Sequence, residues 1–344
     1  MRRKIFLDGR VGTGGLGKYV SELAGGLRDR GYEVVVWKGG RGHWIWQEQV
    51  ELAIKLLKER PDIYHASQNW GIPLFCFSTV VLTIHDVIPE CLNGYFIKSR
   101  FPALSKFLYH LRIQLGVWRA KRIICVSEAT KRDLQEHFNV KAKKLVVIYD
   151  GVNKFEKQRH CESILASWGL VSGRYILNHG GIEKRKNLTR LIIAFRDTSI
   201  KDTKTKLVIT GDGTEKKRLE DLVRNLGMDE SVVFTGWVDE SSVGVLVKNA
   251  KFLVYPTLAE GFGLPLLESM AAGVTAVASN IAALREIGKE VPIYIDPKSV
   301  SSITKGMERA VSEKVKKKWS AKYFMERYSW KRTVDETVKV YRDQ

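Results

Sequence analysis

Apolar positions along the 344-residue chain fall into short continuous runs, separated by stretches where they recur every three or four residues. The first run, residues 4–8, leads into a glycine loop at 12–17, after which Tyr19, Leu23 and Leu27 recur at helical spacing until Gly31 ends the pattern. Further apolar runs at 33–37, 62–66, 80–85 and 122–127 predict strands. The rhythm restarts at Arg174, with strands predicted over 175–179, 206–211, 232–236, 252–255 and 275–278 and helices over 188–195, 216–226 and 265–272. Strands alternating with helices imply parallel βαβ units, so the expected fold is α/β with two doubly wound halves in tandem. Ligands of such sheets sit outside the carboxyl ends of the strands, and two halves facing each other would create one cleft.

A chain of this length exceeds what one hydrophobic core usually organises. The expected division is a first domain over 1–152, a polar linker region over 153–172 and a second domain over 173–325. A last helical segment over 326–344 is expected to pack back on the first domain. After Asp296 the pattern is helical, with Trp319, Tyr323, Tyr328, Trp330 and Tyr341 supplying apolar faces. Apolar residues make up 44% and charged residues 28% of the chain, which excludes a largely disordered or fibrous protein.

The net charge of +19 is spread over both halves, so it is not a basic tail, and it favours anionic partners without choosing among nucleotide, nucleic acid and membrane. The cysteines at 76, 91, 125 and 161 form no CxxC pair, and three lie in apolar runs, which predicts buried free thiols in a reducing compartment. The apolar run after the basic residues of MRRKIFLDGR stops after three positions, too short for a signal peptide, and the run over 73–84 is too short to span a bilayer. A cytoplasmic protein is expected.

GTGGLG places Gly12, Gly14 and Gly17 between a strand and a helix, which satisfies GxGxxG. An NAD enzyme would carry an acid at the end of the second strand. Lys38 and Arg41 stand there instead, leaving NADP, a phosphate or sugar contact, or a tight turn without a ligand. His85 and Asp86 close a strand in TIHDVIPE, where chemistry occurs in this fold class and where a structural histidine is also common. Arg185 and Lys186 precede a helix start, and two cations oppose the helix dipole there unless an anion lies between them; the alternative is a solvated charge cluster.

AEGFGLPLLESMAAG is the most informative run, with Glu260 and Glu268 eight residues apart and Pro265 suited to a first helical turn. On a continuous helix the carboxylates would be about 12 Å apart, beyond a glycosidase acid/base pair, and suited to gripping two ends of a polyhydroxylated ligand. Backbone N–H groups at Phe262, Gly263 and Leu264 would add hydrogen bonds. Gly211, Asp212 and Gly213 open a helix that Asp212 or Thr214 could cap, and Gly236 to Val238 could offer backbone groups to a nucleobase. No Asp-x-Asp occurs and the histidines lack metal-ligand spacing, so no metal site is expected. Residues 91–127 hold no acid, while Lys98, Arg100, Lys106 and Arg112 alternate with Phe96, Phe101, Phe107 and Tyr109. This segment reads either as a surface for anionic lipid or nucleic acid, or as an amphipathic helix with buried aromatics.

Together, GTGGLGKYVSELAGGL, TIHDVIPE, IICVSEATKRDL, IYDGVN, GGIEKRKNLTRLIIAF, LVITGDG, VVFTGWV and YPTLAEGFGLPLLESMAAG resemble the retaining glycosyltransferases of family 4, which have the GT-B fold. The resemblance implies a metal-independent hexosyltransferase of glycan biosynthesis with no cofactor. Its partners would be a nucleotide-sugar donor, GDP-mannose ahead of UDP-glucose, and a glycan or lipid-linked acceptor. Peripheral contact with an anionic membrane is expected, and no specific nucleic acid. It further implies that Glu260 meets the donor sugar and Glu268 the ribose, that Arg185 and Lys186 bind the diphosphate, and that His85 lies near the reacting centre. Gly14 and Gly15 would bring backbone to the phosphates, and Gly181, Gly211, Val238, Phe262, Gly263 and Leu264 would complete donor binding. Many members carry an arginine where this chain has Gly181, after Gly180, which leaves more of the neutralisation to Arg185 and Lys186.

Overall fold

The computed structural model describes residues 3–10, 14–39, 45–68, 72, 76–92, 95–96, 99–153, 155, 161–312 and 320–344. The chain divides into two compact units, Met1–Gly151 with Tyr328–Gln344, and Val152–Arg327. The first unit contains β1 (Lys4–Asp8), β2 (Glu33–Trp37), β3 (Ile63–Ala66), β4 (Thr79–Ile84), β5 (Arg122–Cys125) and β6 (Leu145–Val147), with α1 (Gly14–Asp29), α2 (Ile45–Glu59), α3 (Ile88–Cys91), α4 (Pro102–Arg119) and α5 (Glu128–Phe138). The second contains β7 (Tyr175–Asn178), β8 (Lys206–Thr210), β9 (Val232–Gly236), β10 (Phe252–Tyr255), β11 (Ala276–Ser279) and β12 (Ile293–Ile295). Its helices are α6 (Cys161–Ala166), α7 (Leu188–Arg196), α8 (Lys216–Asn225), α9 (Glu240–Asn249), α10 (Leu264–Ala271), α11 (Ala282–Gly288), α12 (Val300–Ser312) and α13 (Ala321–Arg327). The final helix, α14 (Trp330–Arg342), belongs to the first unit.

Among the described residues each unit carries a six-stranded sheet, ordered β2-β1-β3-β4-β5-β6 in the first and β12-β11-β10-β7-β8-β9 in the second. The strand pairs are parallel. Such sheets are covered on both faces, which is why the middles of their strands are mostly apolar. Side chains alternate across the first sheet: Ile5 and Leu7 pack with Tyr19 and Leu23 of α1 and Val334 and Tyr341 of α14, whereas Phe6 packs with Leu52 of α2, Ile113 of α4 and Leu134 of α5. The close approach of α1 to α14 explains a mid-helix glycine, because a Cβ on Gly26 would fall 2.6 Å from Val334 Cγ2.

The structure adds to or departs from the sequence expectations in several places. β6 and β12, three residues each, are not predicted, since so short an apolar run carries no periodicity. The segment 153–172, expected as a polar linker region, carries α6, whose Leu165 is buried, and Leu170 is buried as well. Of the four free cysteines only Cys125 is buried, and Cys91 is exposed. Neither Asp212 nor Thr214 caps α8; its N-cap is Glu215, with no side-chain cap hydrogen bond. Gly12, Arg41, Lys98 and Trp319 lie outside the described residues. No helix among the described residues is long and apolar enough to cross a membrane.

Candidate active site

In the second sheet the strand order reverses between β7 and β10, and the loops that leave these strands meet at that switch point. The loop after β7 carries Gly180, Gly181 and a 3₁₀ turn over Lys184–Lys186 before α7 begins. Gly211, with φ +96°, is required for close approach: a Cβ there would fall 2.1 Å from the Gly180 carbonyl oxygen. Backbone hydrogen bonds stitch the neighbouring loops, from Ile182 N to Asp212 O (2.9 Å) and from Gly211 N to Gly236 O (2.7 Å). Across the switch point, Leu258 N donates to Arg185 O (2.7 Å) and Asn187 Nδ2 to Pro256 O (3.0 Å). Arg185 and Lys186 are therefore held by the backbone against the loop that carries Glu260.

Glu260 lies in the loop before α10, not on a continuous helix with Glu268. Its Oε1 accepts from Lys186 Nζ (2.7 Å), Tyr255 Oη (2.8 Å) and Thr257 Oγ1 (2.9 Å), and its Oε2 is 2.9 Å from Arg185 Nη1. The Glu260 and Lys186 side chains are only 9% and 8% exposed. Burial alone would raise the Glu260 carboxyl, but the Lys186 and Arg185 charges and the hydrogen bonds outweigh it and hold the group at about 2. Burial pushes the Lys186 ammonium below its usual value, opposed by Glu260 and aided by Arg185. The anion that the two cations call for at the start of α7 is thus supplied by the protein itself. Arg185 also meets Glu183 through Nε (2.8 Å), and Lys186 spends two of its three N–H groups on Tyr255 and Glu260.

Glu268, on α10, is buried, with Oε2 3.4 Å from His179 Nε2; His179 Nδ1 in turn lies 3.0 Å from Thr210 Oγ1. Sequence reasoning missed His179, Tyr255 and Thr257. A histidine ending a predicted strand, as at His85, is the signal that could have found His179. Gly263 caps α10 with φ +105°, where a Cβ would meet Leu284 Cδ2 at 2.4 Å. Phe262 is buried, while Leu264 and Val238 are half-buried.

In the first unit, Gly14 opens α1 with φ +71°, and it and Gly15 are exposed. His85 follows β4. Its Nε2 lies 3.1 Å from the Ser67 carbonyl oxygen, its Nδ1 faces Asp150 Oδ2 at 3.9 Å, and its ring meets Tyr19 edge-on at 4.8 Å. Burial lowers the imidazole to about 4 and raises the Asp150 carboxyl to about 7. Asp150 was also missed, although an acid before a glycine after an apolar run, in IYDGVN, marks a strand end.

The basic aromatic segment includes α4, with Phe101 as its N-cap. Phe101, Leu104, Leu108, Leu111, Leu115 and Trp118, spaced alternately three and four residues apart, are all exposed, Trp118 at 69%. Of the two readings left open, the one with buried aromatics describes Tyr109, which packs partly buried against the core, but not Phe101, Phe107 or Trp118.

Residues 165–324 match the family described as Glycosyl transferases group 1, and residues 37–154 match Glycosyltransferase Family 4. An uncharacterized glycosyltransferase of Methanocaldococcus jannaschii is 33% identical over 86% of this chain and 79% of that protein. O-antigen chain mannosyltransferase B of Escherichia coli is 25% identical over 83% of this chain and 76% of its own length. Among solved structures, the Anabaena protein HepE in complex with UDP and glucose superposes with a TM-score of 0.81 at 15% identity, covering all of both chains. The fold, two six-stranded parallel sheets each flanked by helices, is that of a GT-B glycosyltransferase. The chain belongs to the group 1, family 4 glycosyltransferases and is a hexosyltransferase.

Proposed function

We propose that this chain transfers a hexose, with retention and without a metal, from a nucleoside-diphosphate sugar to a hydroxyl of a glycan or lipid-linked acceptor. The observation that carries the reading is the Glu260–Arg185–Lys186 cluster at the switch point of the second sheet. A carboxylate held at about 2 by two cations is a weak base and a weak nucleophile, which suits Glu260 to hydrogen bonding with sugar hydroxyls rather than to covalent attack. The departing diphosphate then takes the acceptor proton on the same face, and Arg185 and Lys186 stabilise the charge it gains as the glycosidic bond breaks. Glu268, set by His179, takes the ribose. Gly14, Gly15, Gly181, Gly211, Val238 and the backbone over 262–264 serve the donor, and His85 stands near the reacting centre.

GDP-mannose is the preferred donor, on the TGGLGKYVSEL and RKNL forms and the mannosyltransferase relative. UDP-glucose stands second, supported by the UDP and glucose bound in HepE. An NADP oxidoreductase would leave the second-unit cluster without a use. Titration with GDP-mannose, UDP-glucose, NADPH and duplex DNA, followed by NMR of the product anomer, tests the reading. An inverted anomer refutes retention, and activity that vanishes in EDTA and returns with magnesium refutes metal independence.

The exposed stripe of α4, in a segment without acids, favours peripheral docking on an anionic membrane as the way a lipid-linked acceptor is reached. A second copy of the chain is disfavoured because it would oppose basic faces. Binding to anionic but not zwitterionic vesicles, lost in Trp118→Glu, is expected. Binding indifferent to lipid charge would sink the docking.

A further inference from the structure

We propose that Asp150 is a positioning residue for His85, its carboxyl facing imidazole Nδ1 in the protonated form and so leaving the ring neutral and in its Nε2–H tautomer. The tautomer follows from geometry. The Ser67 carbonyl, 3.1 Å from Nε2, only accepts, so Nε2 carries hydrogen. Nδ1 of the neutral ring is then a lone pair, and it is this atom that faces Asp150 Oδ2 at 3.9 Å. A lone pair against an ionised carboxylate is repulsive. A proton between them removes the conflict, carried either by the carboxyl or by the ring.

The surroundings decide where it resides. Asp150 is 3% exposed, and its Oδ1 is buried with no hydrogen-bond partner among the described residues. Tyr19 of α1, whose hydroxyl is spent on Thr83, packs its ring on His85 and in turn meets His65 of β3, bonded to Thr83 and Tyr341, and Trp330 of α14. Thr130 of α5 reaches the His85 carbonyl. None of these groups is a lysine, arginine or carboxylate, and the carboxylate next in the chain, Asp86, accepts from Ile88 N (3.2 Å). Burial thus favours the neutral forms of both partners, with the carboxyl raised to about 7 and the imidazole lowered to about 4, and the proton sits on Asp150. The backbone holds Asp150 in place: a Cβ on Gly151 would fall 2.3 Å from Trp330 N, so the chain is clamped against the start of α14.

The proposal rests on the reading of His85 as part of the reacting centre. The test combines imidazole nitrogen NMR of the full chain labelled at histidine, with His85 assigned by its loss in His85→Gln, and the pH profile of kcat and donor KM. In the wild type the His85 nitrogens are expected to respond to an ionisation near neutrality, with an inflection in kcat at the same pH. In Asp150→Asn, whose amide can donate to Nδ1 without titrating, both inflections should vanish while donor KM changes less than about twofold. Asp150→Ala should lower kcat about tenfold. Wild-type His85 nitrogens that titrate without a step near neutrality, or inflections that survive in Asp150→Asn, overturn the proposal, and the first of these needs no folded variant. A nitrogen step lost in Asp150→Asn, together with undiminished kcat in His85→Gln, upholds the pairing and refutes instead the catalytic reading of His85.

Discussion

At the scale of single residues, Glu260 has two duties that a substitution should separate. It would contact the donor sugar, and it is the counter-ion of two cations that are largely out of water. Glu260→Gln removes only the charge. Breaking one side of a buried ion pair costs about 3–5 kcal/mol, so melting temperature should fall, and a nucleoside diphosphate should restore it more than it stabilises the wild type, because the ligand replaces the missing anion. Transfer should be lost with nucleotide binding kept. Because the Glu260 carboxyl lies below its ordinary 4.5, its contribution to stability is in place above that pH and is lost on acidification towards about 2. Glu268→Ala should act differently, weakening nucleoside diphosphate by about 1.5–3 kcal/mol while leaving inorganic pyrophosphate nearly unaffected. Calorimetry on the two variants checks the pair, and equal losses of nucleotide affinity would show that the carboxylates do not divide the donor between them.

At the scale of elements, what the sequence made legible was what is local. Continuous apolar runs marked β1, β2, β7, β8 and β10 because those strands are covered on both faces. Glycine and proline placement marked the start of α10, where Pro265 sits in the first turn and Gly263 takes a positive φ. The cations beside α7 were legible as a conflict, but its resolution was not: Glu260 lies 74 positions from Lys186 and leaves no local trace there. The Asp150–His85 pair and the Glu268–His179 contact escaped for the same reason, since only the sheet topology brings strand ends together. Gly211 was read as a donor contact, and the structure adds that it joins two loops. Gly211→Ala must find room for a Cβ 2.1 Å from a carbonyl oxygen at φ +96°, so a loss of about 3 kcal/mol is expected, with donor affinity falling alongside. Chemical denaturation measures the first and calorimetry the second. An alanine variant of wild-type stability would mean that the Gly180–Gly211 approach is not needed to hold the loops.

For the whole molecule, the charge of +19 and the buried cluster should leave different signatures in salt. The surplus lies over both units and is mostly at the surface, where interactions beyond about 8 Å are screened at physiological ionic strength. Arg185 and Lys186 are shielded by protein and compensated by Glu260, so their short-range hold on a diphosphate should be far less sensitive. If the surface field steers an anionic donor, kcat/KM should fall several-fold between about 0.05 and about 0.5 M salt through KM, with kcat unchanged, and then level off. The plateau would report the buried contribution, and a variant lacking Lys186 should lower turnover at every salt concentration, because leaving-group charge grows in the transition state. A kcat/KM indifferent to salt would mean that the surplus serves another anion, and vesicle binding that weakens over the same salt range would identify that anion as the membrane surface facing α4.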